Sequence, residues 1–290
     1  MIQIKGLKKT FDDVCAVSDV TLDIPEGTLF GLLGTNGAGK TTMLRILSGI
    51  LEADGGEIGI DGEPLHKAKE KLFFLPDSPY YFPNASMEQM AKFYADQYAD
   101  MDQESVSYMA EALELDVRRP LRTFSKGMKR QAFLILALCA RTKYLLCDEV
   151  FDGLDPIVTE VMKNLFRQEM KERKFTAVVA SHRLGELEDI CGNIAILHKG
   201  GLVTAGDMKG RTEDVKKFQC VFAEGEDVDK IAEEAAKELD VVRSHVDGSF
   251  VTLVIRDKEG CEGKAGGALS GGRQRGAYEL RRDLHLRNGG

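Results

Sequence analysis

No stretch of this 290-residue chain approaches the roughly 18–20 consecutive apolar residues that a helix needs to cross a bilayer. The longest apolar run, AFLILALCA at 132–140, is about half that length and reads as a buried helix. The amino terminus, MIQIKGLKKTF, lacks the apolar core of a signal peptide, which predicts a cytoplasmic protein. An excess of positive charge is missing too. Lys and Arg number 39 against 47 Asp and Glu, a net charge of −8, and this excludes a chain that coats nucleic acid with a basic face. The six cysteines (Cys15, Cys139, Cys147, Cys191, Cys220, Cys261) include no CxxC pair, so no metal or redox site is indicated. Cys139 and Cys147 sit inside apolar runs and read as small core residues in a reducing compartment. What is present is an ordinary globular composition, 43% hydrophobic, at a length that suits one large α/β domain and a smaller appendage.

Over roughly the first 206 residues, short apolar runs alternate with amphipathic segments. Residues 28–34 (TLFGLLG), 144–149 (YLLCDE), 175–181 (FTAVVAS) and 193–197 (NIAIL) read as buried strands. Apolar strands separated by helices predict a mostly parallel sheet covered on both faces. Residues 40–51 are expected to form a helix with Met43, Leu44, Ile46 and Leu47 on its apolar side. A polar helical stretch over about 86–115 carries Met, Phe and Tyr at helical spacing, a packing stripe. After Gly206 the pattern changes to a small βαββ unit over 207–258, with a strand near 217–223, a helix over 227–240 and a hairpin around Asp247-Gly248. From 259 to 290 the chain is Gly-rich and basic without a period, and this tail is expected to be disordered.

Two stretches carry chemistry. Residues 34–42, GTNGAGKTT, fit GxxxxGK[ST] between a strand and a helix. Gly34, Gly37 and Gly39 permit the backbone angles that aim successive N–H groups inward, and the helix N-terminus adds positive partial charge. Lys40 supplies a point charge for the β and γ phosphates of a nucleotide, and Thr41 a hydroxyl for Mg²⁺. The second stretch, YLLCDEVFDGLD at 144–155, ends an apolar strand in two acids. Adjacent strand residues point to opposite faces, so Asp148 and Glu149 are free to take different tasks. Asp148, at the end of a strand beside the phosphate loop, is placed to hold Mg²⁺, and Glu149 to polarise an attacking water. Asp155 reads as the cap of a helix that opens with Pro156. His66, His198, His245 and His285 read as structural or solvated.

With these sites in hand, the chain resembles the nucleotide-binding subunits of ABC transporters over roughly residues 1–205. Phe11 matches the family's adenine-stacking aromatic, and FSKGMKRQ at 124–131 stands where the signature loop belongs. GLDP at 153–156 resembles the D-loop, and 180–197 the switch region with His182. The resemblance implies a P-loop NTPase fold of ABC type, with a mostly parallel core, antiparallel N-terminal strands, a helical subdomain at about 84–140 and a small C-terminal α+β accessory unit. It implies ATP held by Phe11, Gly34, Thr35, Asn36, Gly37, Ala38, Gly39, Lys40, Thr41 and Thr42. Glu149 and His182 would be catalytic, and Thr41, Asp148 and Asp77 would serve Mg²⁺. Ser125, Lys126 and Gly127 would reach a partner's ATP, and Asp155 lies in the D-loop. Three departures stand out: Asp77 where the family usually has Gln, Val150 after the catalytic acid, and Phe124 with Lys126 in the signature. A second match, LSGGRQR at 269–275, has no Mg²⁺ strand after it, and FSKGM is taken as the operative copy.

The resemblance further implies a homodimer or heterodimer of such subunits, head to tail around ATP. It would drive a separate transmembrane permease at the inner face of the membrane, in the direction of export and without nucleic acid. Tyr80, Tyr81 and Phe82, three aromatics in a Pro-bounded loop, are the expected docking patch. Two rivals stay open: a soluble ABC-type ATPase acting on ribosomes or DNA, and an ATP-gated scaffold with weak hydrolysis.

Overall fold

A computed structural model describes residues 1–207, 215–221, 241–247, 250–256 and 281–282. The chain divides into two units, Met1–Gly206 and Asp207–Gly290.

The first unit opens with β1 (Ile2–Phe11) and β2 (Val14–Ile24), an antiparallel pair. Further along come β3 (Leu29–Leu33), α1 (Lys40–Leu47), β4 (Gly55–Ile60), β5 (Glu63–Pro64) and β6 (Leu72–Leu75). Three helices follow, α2 (Met87–Ala95), α3 (Gln103–Glu111) and α4 (Lys126–Cys139). The unit closes with β7 (Tyr144–Asp148), α5 (Pro156–Arg173), β8 (Thr176–Ser181), α6 (Leu184–Leu187), β9 (Asn193–His198) and β10 (Gly201–Asp207). One four-stranded antiparallel sheet has the order β2-β1-β4-β5. The six-stranded sheet has the order β10-β9-β3-β8-β7-β6, and its pairs from β9 through β6 are parallel.

Every side chain of β7 and β8 is buried, which is why these strands read as unbroken apolar runs. Between the two sheets Ile2, Ile4, Leu22 and Ile24 pack with Met43, Leu44, Ile46 and Leu47 of α1 and with Leu146 and Val178. The apolar run 132–140 is buried throughout in α4 and the residue after it. Cys139 and Cys147 are buried free thiols, and burial pushes the Cys139 thiol up to about 12, outside the reactive range.

Two boundaries differ from expectation. Helix α1 ends at Leu47, before residue 51, because Gly49 takes a left-handed φ of 71°. The stretch 86–115 is two helices. Asp102 starts the second by accepting a hydrogen bond from the Ser105 backbone N–H, and Tyr98 leaves the helical line to donate to the Leu72 carbonyl. The aspartate strand β7 does not lie beside the phosphate-loop strand β3, because β8 stands between them.

In the second unit, β11 (Val215–Val221), β12 (Val241–Asp247), β13 (Phe250–Arg256) and β14 (Arg281–Arg282) form an antiparallel sheet in the order β12-β13-β11-β14. The expected hairpin is present as β12 against β13, with Asp247 opposite Phe250. The expected helix at 227–240 and the LSGGRQR stretch lie outside the described residues. The tail expected to be disordered contributes β14, since main-chain pairing to a sheet edge requires no buried apolar side chain.

Candidate nucleotide site

The phosphate loop is pinned at both ends by backbone. Gly34 donates its N–H to the Ser181 carbonyl at the end of β8, and Gly200 donates to the Ala38 carbonyl. Two positions admit only glycine. A Cβ on Gly34 would lie 2.6 Å from the Leu197 carbonyl oxygen. Gly39, at φ 101°, would drive one into the Ala16 carbonyl oxygen. Between them Thr35, Asn36 and Gly37 are exposed and Ala38 is buried. Gly39 starts α1 with no side-chain cap, and no acid occupies the first turn. The N–H groups at this helix start are therefore available to an anion, with the helix dipole favouring negative charge.

Lys40 is 5% exposed, so its ammonium must be compensated by protein or ligand. It donates to the Gly34 carbonyl at 2.7 Å and the Thr35 carbonyl at 3.3 Å, and pairs with Glu149 Oε1 at 3.2 Å. Three acceptors match its three protons. Glu149 carries the pairing onward, its Oε2 lying 2.9 Å from His182 Nδ1. Its φ of 50° turns it away from the strand that ends at Asp148, and its N–H is held by the Ala180 carbonyl. The two adjacent acids accordingly have different partners, and it is this turn of the backbone, not alternation along the strand, that separates them.

Asp148 is 2% exposed, and its Oδ1 has no hydrogen-bond partner among the described residues. Burial raises its pKa, a hydrogen bond from the Thr41 hydroxyl opposes the rise, and the charges of Glu149 and Asp77 add to it. A buried carboxylate oxygen without a donor, beside a hydroxyl, is a donor set that suits a hard divalent cation. Asp148 meets Thr41 although β8 separates the two strands, because the residue that reaches it lies on α1.

Phe11 ends β1 opposite Val14, 44% exposed, with Lys9 Nζ 5.5 Å from its ring centre. Ser125 caps α4 by accepting from the Met128 N–H at 3.1 Å, while Lys126 is exposed and Gly127 half-buried. Asp155 caps α5 by accepting from the Val158 N–H at 2.9 Å, ahead of Pro156. Asp77 is committed to an ion pair with Arg130. The three aromatics divide: Tyr80 is 75% and Phe82 43% exposed, while Tyr81 turns in against Phe133 beneath Lys129. Two buried cations escaped the sequence. Arg130 is buried between Asp77 and Asp152, and Lys163 is buried between Asp189 and the Gly185 carbonyl, bracing α5 against α6. The only signal for either was a basic residue at an apolar helical position.

The sequence profile of the family described as ABC transporter matches residues 17–152. The chain is 30% identical over 258 residues to the ABC transporter ATP-binding protein YtrB of Bacillus subtilis, covering 88% of this chain and 86% of that protein. It is 28% identical over 228 residues to the bacitracin transport ATP-binding protein BcrA of Bacillus licheniformis, covering 76% and 74%. In fold it is similar to the ATP-binding cassette MJ0796, whose dimeric structure represents a post-hydrolysis state bound to ADP and Pi. The TM-score is 0.64 at 21% identity, over 72% of this chain and 99% of that one. A phosphate cradle with two positions that only glycine can fill, beside a buried aspartate and a histidine-bound glutamate, thus accompanies relatives of one kind along most of the chain, and the chain belongs to the ATP-binding ATPase subunits of the ABC transporter family.

Proposed function

We propose that this subunit closes on ATP together with a second nucleotide-binding subunit, a copy of itself or a relative, and drives a separate transmembrane permease at the cytoplasmic face of the membrane. The observation that carries the reading is the linked trio Lys40, Glu149 and His182 at the mouth of an uncapped helix. ATP phosphates entering the cradle would take the protons of Lys40 that the Gly34 and Thr35 carbonyls and Glu149 now accept. Glu149, released from Lys40 and oriented by His182, then faces the attacking water as its base. Thr41 and Asp148 would hold Mg²⁺ along with the nucleotide's own oxygens, and the ion would neutralise charge on the phosphates. Phe11 offers a half-exposed ring for adenine.

Ser125 is suited to a partner's γ-phosphate. Its cap uses an oxygen lone pair, which leaves its O–H free to donate. Lys126, exposed beside it, adds charge. Among the described residues no helix is long and apolar enough to cross a membrane, so the permease would be another chain. Tyr80 and Phe82 are the outward part of the docking patch, and Tyr81 supports it from below. Export is the direction that the resemblance favours, with the bacitracin transport protein BcrA among the relatives.

The test is phosphate release and oligomeric state of the full chain beside Glu149→Gln. Loss of the base is expected to slow release by roughly 10²–10⁴-fold while ATP still binds, so the variant accumulates as a dimer. Release from the parent no faster than from the variant, or a variant that stays monomeric when saturated with ATP, overturns the reading. Tyr80→Ala with Phe82→Ala is expected to lose co-purification of the permease and keep ATP binding.

A further inference from the structure

Arg130, on α4, is a buried cation, 6% exposed. One Nη pairs with Asp77, in the loop after β6, and the other lies 3.4 Å from Asp152, in the turn after β7. Its Nε has no partner among the described residues, so the whole compensation of this buried charge comes from those two carboxylates. Both acids are reached by solvent, with side chains 45% and 32% exposed. The burial is therefore one-sided: a buried cation held from above by two loops.

Asp152 in turn belongs to the catalytic turn. Its N–H donates to the Glu149 carbonyl at 3.2 Å, and its other carboxylate oxygen lies 3.8 Å from Arg183, the residue after His182. Arg183 also lies 3.7 Å from Glu186, whose carboxylate accepts from the Ser181 hydroxyl. A continuous set of charge pairs thus runs from the loop that carries Tyr80 and Phe82, through the interior, to the turn that carries Glu149 and the segment that carries His182.

We propose that Arg130 is a positioning residue that locks the 77–82 loop to the 149–155 turn, and that Asp77 is its matched acid. A glutamine at 77 would leave a buried guanidinium with a single anion, which explains why this chain has an aspartate there. The geometry asks for arginine in particular. A planar fork presents N–H groups to two acceptors on two separate loops, whereas a lysine ammonium is a point charge that sits with one of them. The proposal rests on the nucleotide site described above. Filling that site moves Glu149 off Lys40, and the lock carries the change to the aromatic loop.

The chain contains no tryptophan, so Tyr80→Trp, at an exposed position, provides a single emitter in the loop. The reporter chain is titrated with the non-hydrolysable nucleotide adenylyl imidodiphosphate and Mg²⁺, and equilibrium dialysis reads occupancy separately. Nucleotide is expected to shift the emission of the reporter. Arg130→Lys and Asp152→Asn are each expected to remove most of that shift with affinity for the nucleotide unchanged. Their combination should remove no more than either alone, since both cut one connection. Asp152→Asn alters a half-exposed side chain and covers the case in which Arg130→Lys fails to fold. The proposal is overturned if the reporter bound to nucleotide shows no shift, if the full shift survives in Asp152→Asn, or if shift and affinity fall together.

Discussion

Helices α1 and α4 both begin at a turn that we propose meets phosphate, and they finish that turn in opposite ways. Gly39 starts α1 with no side chain at all, and Ser125 starts α4 with a hydroxyl already accepting from Met128. Of the five described helices of eight residues or more, α2, α3, α4 and α5 have side-chain caps, from Ser86, Asp102, Ser125 and Asp155. The uncapped one is α1. An ordinary helix satisfies its first N–H groups with its own oxygen, whereas one that must take a ligand's oxygen leaves them unmet. At α4 the acceptor of Ser125 serves the helix and the donor is left over. On the proposed reading the first turn surrounds an anion and the second touches one from a single side.

The largest effect is expected where that openness is removed. Gly39→Ala places a Cβ against the Ala16 carbonyl oxygen at a φ of 101°, about 1–3 kcal/mol of backbone strain before the collision is counted. Nucleotide binding measured by dialysis is expected to vanish and the unfolding temperature to fall. Binding as tight as the parent's would break the contrast between the two helices. Next comes Ser125, where cap and phosphate contact separate by substitution. Ser125→Ala is expected to cost about 1 kcal/mol in denaturant unfolding, the usual value of a lost cap, and also to slow phosphate release. Ser125→Asp caps equally well but has no proton to donate and repels phosphate. It should restore stability and leave hydrolysis slow, whereas recovery of both would sink the donor role.

The smallest effect belongs to a control remote from both turns. Burial alone would raise the pKa of Asp61. Hydrogen bonds from Tyr144, the terminal amine and Lys143 overcome that and hold it well below its ordinary 3.8. A carboxylate depressed by folding stabilises above its ordinary pKa, and the benefit disappears as pH falls through the folded value. Asp61→Asn is expected to unfold more easily than the parent at neutral pH, with the difference shrinking in acid and phosphate release unchanged. A stability gap that stays constant from neutral pH into acid would count against the charge of Asp61 as its source.

Much of the site was legible because its parts are local. The spacing of Gly34, Gly39, Lys40 and Thr41 is a backbone requirement compressed into eight residues, and the pair Asp148 and Glu149 stands at the end of a strand whose burial shows as Tyr144, Leu145, Leu146 and Cys147. Asp155 followed by Pro156 is a helix start in two letters. What stayed hidden has a common cause in distance along the chain. The ion pair of Asp77 could not be foreseen because its partner, Arg130, is 53 residues away on another element. Tyr81 was grouped with Tyr80 and Phe82 because neighbours in sequence look alike, and only packing against Phe133 sends its ring inward. The intervening position of β8 could not be read from β3 and β7 at all, since strand order in a parallel sheet is set by crossovers and not by the strands' composition.

By itself, then, the sequence determined where the glycine-lined loop opens a helix and which acids stand at the end of a buried strand, since glycine conformations, helix starts and strand burial are written within a few residues of each other. The tertiary structure alone decided which of those groups are already occupied. Lys40 is tied to Glu149, Asp77 to Arg130 and the Ser125 oxygen to its own helix, while one oxygen of Asp148 is left without a donor among the described residues. The physical reason is that pairing a buried charge depends on which distant chain segment folds against it, and the residues bearing those charges do not encode that on their own.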